Sequence, residues 1–298
     1  MDIGGTKIAA GLVSSDLVSS GPTLGLLRTQ FVPTLALEGF ETSLRQLWSA
    51  IDAVIDSSAQ AIGICAPGPL NPKTGVILNP PNLPGWRDVP LAGLVSERYG
   101  LPCRVENDAN AAGLAETHYG AARGFSSVLY VTISTGIGTG IILNGRIYHG
   151  KNGAAGEGGH VTINYRGRAC GCGVPGCIEA IASGKALAEL GRNPSALTNA
   201  ELDELIEALA AWLGSCISLL DPEIVVIGGG LTNIGHTLFS RLRGAVPSRT
   251  INQFASATPI VPAQLAANVG ILGAAATVLS YETQTLPSTS SGSAVSRA

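Results

Sequence analysis

Two hydrophobic periods divide the chain. Short apolar runs predict buried strands at Ile8-Ala9-Ala10-Gly11-Leu12-Val13, Leu24 to Val32, Ala61 to Cys65, Pro102 to Val105, Ser127 to Ile133, Ile141 to Leu143, Glu223 to Ile227 and Pro259 to Val261. Between them helical spacing takes over. Leu44, Leu47, Trp48, Ile51, Val54 and Ile55 recur at i, i+3, i+4 and i+7, one core-facing stripe that places Trp48 in the core. Thr198 and Glu201 form a capping box for a long helix with Leu202, Leu205, Ile206, Leu209, Trp212, Leu213 and Cys216 on one face. Helices are also expected over Val89 to Tyr99, over Ile178 to Leu190 and from about Asn233, and Gly270 to Ser280 reads as a close-packing helix of small residues. Ala66-Pro67-Gly68-Pro69-Leu70 is a rigid turn, and Asn79 to Trp86 an ordered loop that carries Leu83 and Trp86. Strand, Gly/Thr turn and strand follow one another at 2–13 and again at 127–143, a repeat that suggests two related halves.

Composition narrows the class. The chain has 298 residues, room for one large domain or two ordinary ones, and 45% of them are hydrophobic, enough for a sizeable core. Only 13% are charged, the net charge is −3 and no Lys/Arg cluster occurs, so nucleic acid is not an expected partner. The N-terminus shows no basic stretch followed by an apolar run. Val128 to Leu143 is apolar, but Gly136, Gly138 and Gly140 cut it, so it reads as buried strands and not as a membrane span. Cys65, Cys103 and Cys216 stand alone in apolar contexts, as reduced core cysteines do. A soluble cytoplasmic protein is expected. Pro287 to Ala298 is Ser/Thr-rich and expected to be disordered.

The densest chemistry lies in Gly156-Glu157-Gly158-Gly159-His160 and Cys170-Gly171-Cys172-Gly173-Val174-Pro175-Gly176-Cys177-Ile178-Glu179. One His and three Cys at this spacing suit a closed tetrahedral Zn²⁺ site. Unrelated cysteines, or a disulfide that leaves one thiol over, are the rival readings. Asp2-Ile3-Gly4-Gly5-Thr6-Lys7 is a Gly-rich turn whose backbone N–H groups can cradle phosphate oxygens, or simply a hairpin turn. Ser134-Thr135-Gly136-Ile137-Gly138-Thr139-Gly140 repeats it. Gly228-Gly229-Gly230, between a strand and a helix, lets a ligand approach the backbone at a helix N-terminus. Asp108, in Glu106-Asn107-Asp108-Ala109-Asn110, is either a helix cap or a carboxylate at a strand's C-terminal end, where ligands bind.

In this order and spacing the motifs resemble those of the ROK-family sugar kinases, of the actin-like ATPase superfamily, from Asp2 to about Ala276. The resemblance implies a two-domain α/β actin-like ATPase (ribonuclease H-like) fold with a cleft between the domains. A smaller domain would comprise 1–107 plus about 268–284, a larger one 108–267 with the zinc loop, and 285–298 a tail. It implies ATP gripped by Asp2, Gly4, Gly5, Thr6, Lys7, Thr135, Gly136, Gly138, Gly228, Gly229 and Gly230, with Mg²⁺ near Asp2. The sugar would be held by Gly68, Asn107, Asp108, Glu157, His160 and Glu179, with Asn82 on the opposite wall, and Asp108 would be the catalytic base. A structural Zn²⁺ would be bound by His160, Cys170, Cys172 and Cys177, one ring nitrogen of His160 on the metal and the other facing the sugar. The implied reaction is ATP-dependent phosphorylation of a hexose 6-hydroxyl. Glu157 with an intact Glu106-Asn107-Asp108 favours glucose; N-acetylmannosamine, N-acetylglucosamine and fructose are the alternatives, with a non-catalytic sugar sensor and a polyphosphate donor behind them. The family suggests a homodimer or homotetramer. In three places the chain departs from it, one being that the sequence shows no N-terminal helix-turn-helix, so the repressor branch of the family is not expected. Met1 directly precedes Asp2, where relatives carry several residues, and Thr139 stands where many have Gly, a tolerable change. His118, His149 and His236 are expected to be ordinary surface or loop residues.

Overall fold

The computed structural model describes residues 1–14, 25–251 and 257–285. Leu24 and the tail from Pro287 fall outside them. The first half runs β1 (Asp2–Ile3), β2 (Lys7–Val13), β3 (Leu26–Pro33), α1 (Phe40–Asp52), β4 (Ile62–Ala66), the hairpin β5 (Leu70–Asn71) and β6 (Val76–Ile77), α2 (Leu91–Tyr99) and β7 (Cys103–Asn107). Next come α3 (Asp108–Tyr119), β8 (Val128–Ile133), β9 (Ile137–Leu143), β10 (Arg146–Ile147), α4 (Glu179–Ala182), α5 (Gly184–Glu189) and α6 (Asn199–Leu220). The chain closes with β11 (Ile224–Gly228), α7 (His236–Ala245), β12 (Ile260–Pro262) and α8 (Val269–Thr285).

The repeat read in the sequence is a repeat of topology. One sheet has the order β3-β2-β1-β4-β7 and the other β10-β9-β8-β11-β12. In both, the first three strands in chain order form an antiparallel meander, and the last two add in parallel beside its first strand. The parallel strands therefore end together, with Ile3, Ala66 and Asn107 at one edge of the first sheet and Ile133 and Gly228 at the matching edge of the second.

Each sheet has its own core. Ile3, Ile8 and Ile64 pack with Leu47 and Ile51 of α1 and with Leu91 and Val95 of α2. Leu129, Val131, Val225 and Ile227 pack with Leu205, Leu209, Trp212 and Leu213 of α6 and with Leu238 of α7. Each such side chain, fully buried, contributes about 1.5–3 kcal/mol. α3 and α8 lie against each other, α8 on β2, β4 and β7 and α3 on β8 and β9. Small residues make this approach possible. A Cβ at Gly273 would lie 2.7 Å from the Ala111 carbonyl, and one at Gly140 2.5 Å from the Ala109 oxygen.

Several elements differ from the pattern-based expectation. β9 resumes at Ile137, so the second turn is only Ser134 to Gly136, while Gly138 and Gly140 are strand residues that admit α3. The helix expected over Ile178 to Leu190 breaks at Ser183, whose hydroxyl caps α5 by accepting from the Ala186 N–H at 3.1 Å. A 3₁₀ turn over Gly230–Ile234 and Gly235, at φ +76°, delay α7 to His236. The small-residue helix is longer than expected, reaching Thr285. Trp48 is only half-buried, edge-on to Tyr99 at 6.0 Å with the Arg98 guanidinium 5.1 Å above it.

Candidate active site

The three glycine motifs and Asp108 sit where parallel-paired strands end, the usual ligand edge of such sheets. After β1, the Gly4 N–H donates to the Lys7 carbonyl at 2.9 Å. Thr34 braces this turn by donating its hydroxyl to Gly4 O at 2.6 Å and its N–H to Thr6 O at 2.9 Å. Gly5 must be glycine, because a Cβ there would come within 2.9 Å of the Asn82 carbonyl. Lys7 is exposed, its Nζ 5.2 Å from the centroid of the Phe31 ring. After β8, the Ser134 N–H donates to Gly136 O at 2.9 Å, and α5 ties the turn down through Gly184 N–H to Ser134 O (2.7 Å) and Lys185 N–H to Thr135 O (3.1 Å). Gly136 leaves room for Glu179, whose Oε2 accepts the Ile137 N–H at 2.9 Å. After β11, Gly229 takes φ +88°, and Gly230 has an open face with no atom within 4 Å of a Cβ. The helix N-terminus expected beside this corner is displaced to His236 by the 3₁₀ turn, which Thr232 pins by donating its hydroxyl to Gly229 O at 2.7 Å.

Asp108 opens α3, but the cap is its neighbour. Asn107 is extended, and its Oδ1 accepts the N–H groups of Ala109 (2.9 Å) and Asn110 (3.2 Å). Its amide nitrogen is thereby left facing Gly68, where a Cβ would stand 3.5 Å from Asn107 Nδ2 and 3.9 Å from Glu157 Oε1. Gly68, Asn107 and Glu157 thus share one small space. The Asp108 side chain touches solvent, yet protein surrounds it at longer range. That desolvation pushes its carboxyl up to about 6, and the charges of Asp2 and Glu157 add to the rise. The Ala109 N–H, donated to Asp108 Oδ1 at 2.8 Å, opposes it and loses. Burial also raises Asp2, which accepts a contact from the Cys65 thiol at 3.5 Å. A carboxylate poised near neutrality suits proton abstraction.

His160, Cys170, Cys172 and Cys177 converge, their ligand atoms all within 4.8 Å of one another. Around a tetrahedral Zn²⁺, sulfurs about 2.3 Å from the metal stand about 3.8 Å apart, and sulfur and imidazole nitrogen about 3.5–3.6 Å. Here Cys172 and Cys177 Sγ are 3.7 Å apart, and Cys170 Sγ lies 3.6 Å from His160 Nδ1. The sulfur separation is nearly twice a disulfide bond of about 2.05 Å. The other ring nitrogen, Nε2, points away from the sulfurs, 3.9 Å from Glu157 Oε2. Glu179 stands between the cluster and the second glycine turn, with Oε1 3.9 Å from Cys170 Sγ.

Two positioning groups escape sequence reasoning. Thr139 is only 3% exposed, and it clamps the loop that presents Glu157. Its hydroxyl donates to the Gly156 carbonyl and accepts the Gly158 N–H at 3.0 Å, holding the loop on both sides of Glu157. Trp212 Nε1–H adds a bond to Gly158 O at 3.0 Å. The second group corrects the reading of His149 as an ordinary loop residue. His149 Nε2 lies 2.6 Å from Oε2 of Glu106, which is 5% exposed. Glu106 Oε1 also accepts the Asn107 N–H at 2.9 Å and the Asn110 side-chain amide at 3.0 Å. The dyad thus braces the corner bearing Asn107 and Asp108. No helix among the described residues is long and apolar enough to cross a membrane.

A family model described as ROK family matches residues 1–280. The chain is similar to a glucokinase of Thermotoga maritima, 33% identical over 310 aligned residues that cover 93% of this chain and 96% of the relative. Among solved structures it is similar to a ROK hexokinase from Thermus thermophilus, with TM-score 0.77, 38% identity and coverage of 95% and 98% of the two chains. It is also similar to a ROK family glucokinase from Streptomyces griseus in complex with glucose and AMPPNP, with TM-score 0.77, 31% identity and coverage of 92% and 96%.

Proposed function

The chain belongs to the ROK family, and we propose that it transfers the γ-phosphoryl group of ATP to the 6-hydroxyl of a hexose, with glucose the favoured acceptor. The observation that carries this reading is the Asp108 carboxyl. Burial raises it to about 6, the nearby charges of Asp2 and Glu157 add to the rise, and its neighbour Asn107 shares a small space with Gly68 and Glu157. Asp108 accepts the proton of the sugar hydroxyl as that oxygen attacks phosphorus. Asn107 Nδ2, Glu157, Glu179 and His160 Nε2 hold the remaining hydroxyls, because carboxylates accept strong hydrogen bonds from polyols. The two glycine turns and the Gly228 to Gly230 corner offer backbone to the nucleotide, since phosphoryl transfer needs mainly positioning and charge neutralisation.

Two metals fit the residues present. The half-buried Asp2 carboxylate, desolvated and beside a phosphate turn, would hold Mg²⁺, which supplies charge neutralisation on the phosphates. The His160, Cys170, Cys172 and Cys177 cluster would hold a structural Zn²⁺, a reading supported by the 3.7 Å between Cys172 and Cys177 Sγ and the 3.6 Å between Cys170 Sγ and His160 Nδ1. With Nδ1 of His160 on the cysteine side of the cluster, a metal there would leave Nε2 to present its N–H to the sugar. Residues 1–107 with 268–284 would move as one domain against 108–267, closing the cleft between them. A coupled ADP-release assay across glucose, N-acetylmannosamine, N-acetylglucosamine and fructose, each with ATP and with polyphosphate, tests the reading. Glucose with ATP should give the highest kcat/KM. Turnover confined to another sugar would overturn the substrate, and hexose binding without turnover would overturn the reaction.

A further inference from the structure

A cavity of about 490 Å³ lies at the seam of the two sheets, lined by residues of their edge strands β7 and β10. Lys73 of the β5–β6 hairpin and Arg104 of β7 line it from the first half. Arg146 of β10 and His149 line it from the second, and Thr277 of α8 joins them. The single acid in the lining is Glu106, whose two oxygens are already taken by Asn107, Asn110 and His149. Lys73, Arg104, Arg146 and a histidine therefore line this cavity with one committed carboxylate, in a chain whose net charge is −3.

Six arginines elsewhere, Arg28, Arg98, Arg168, Arg192, Arg241 and Arg249, each pair with a carboxylate. Among the described residues no carboxylate lies within ion-pair reach of Lys73 or Arg146, and the Lys73 ammonium donates only to the Lys151 carbonyl, at 3.3 Å. Like charges from the two halves thus face one space whose volume falls within the ~300–1,000 Å³ range of ligand sites. Guanidinium and ammonium groups lining one cavity match phosphate oxygens.

We propose that this cavity binds a small phosphate dianion, free or carried by a phosphate ester, as a site separate from the sugar and nucleotide positions. The ligand would join Lys73 and Arg104 to Arg146 across the seam and so brace the two sheet edges against each other.

Isothermal titration calorimetry tests it, with the cleft filled by glucose and AMPPNP and chloride holding the ionic strength constant. Inorganic phosphate and glucose 6-phosphate are the two probes. Wild type should bind at least one of them with one equivalent per chain, and Lys73→Ala/Arg146→Ala should weaken binding at least tenfold with kcat unchanged. Arg146→Glu, a surface charge reversal, should do the same without a loss of melting temperature. Tighter binding of the ester assigns an organic phosphate, and equal binding assigns the phosphate group alone. No isotherm with wild type, binding in the double variant equal to wild type, or a response that chloride reproduces would each overturn the proposal. None of these outcomes depends on which hexose is phosphorylated.

Discussion

Thr139→Val removes one hydroxyl and almost no volume. Two bonds go with it, the one donated to Gly156 O and the one accepted from Gly158 N–H. A neutral buried hydrogen bond contributes about 1 kcal/mol, and a buried group left without a partner costs about 1–3 kcal/mol. Gly156 and Gly158 are half-buried, so water recovers part of that loss, and the Trp212 bond to Gly158 O persists. The net loosening is therefore about 1–2 kcal/mol, equivalent to a factor of roughly 5–30 in an equilibrium. It falls on the loop that presents Glu157, so the hexose KM should rise by that factor while the ATP KM stays within about twofold. Thr139→Ser keeps the hydroxyl and should keep hexose KM within about threefold of wild type, assuming hexose dissociation is fast relative to kcat. Steady-state kinetics in both substrates, with thermal melts of each variant, separate the outcomes. A Val variant with unchanged hexose KM would refute the positioning role, and more pointedly so if its melting temperature fell.

The other expectations follow from the same site. Because Asp108 must be ionised to accept a proton and its carboxyl sits at about 6, kcat/KM should fall about tenfold per pH unit below that value, and a flat profile from pH 7 to 5 would contradict the assignment. Metal chelation, or Cys172→Ala, should lower the melting temperature and raise hexose KM together, since a zinc ion in the cluster would aim His160 and close the loop; a protein unchanged in both would overturn the zinc proposal. His149→Ala takes one partner from the buried Glu106 carboxylate and should destabilise by about 1.5–3 kcal/mol in urea unfolding, whereas a change below ~0.5 kcal/mol would mean that the dyad braces nothing.

Local chemistry was legible in the sequence, and tertiary chemistry was not. The four candidate metal ligands lie within eighteen residues on a Gly-rich loop, so their spacing alone implied convergence. The two halves were legible because the same strand–turn–strand pattern occurs twice, and their sheets share one strand order. Glu106 and His149 are 43 residues apart and meet only because β7 and β10 form neighbouring sheet edges. Thr139 reads as a tolerable turn residue until β9 brings it under the Gly156 to Gly158 loop. Glycine is ambiguous for the same reason. Gly138 and Gly140 share a motif with Gly136, yet they serve the approach of α3, which only packing reveals. Asp108 looked like a helix cap because caps are local; Asn107 does the capping and leaves the carboxylate available.

The central claim is that Asp108 takes the sugar proton, and Asp108→Asn tests it most directly through hexose-dependent ADP release and thermal melting at pH 7.5. The folded carboxyl at about 6 lies above its ordinary value, so between that value and about 6 folding takes up a proton. Above about 6 the ionised group is held at a cost, which the neutral amide removes. The variant should therefore melt no lower than wild type and bind hexose, yet lose about 10²–10⁴-fold in kcat. A kcat within tenfold of wild type would contradict the claim.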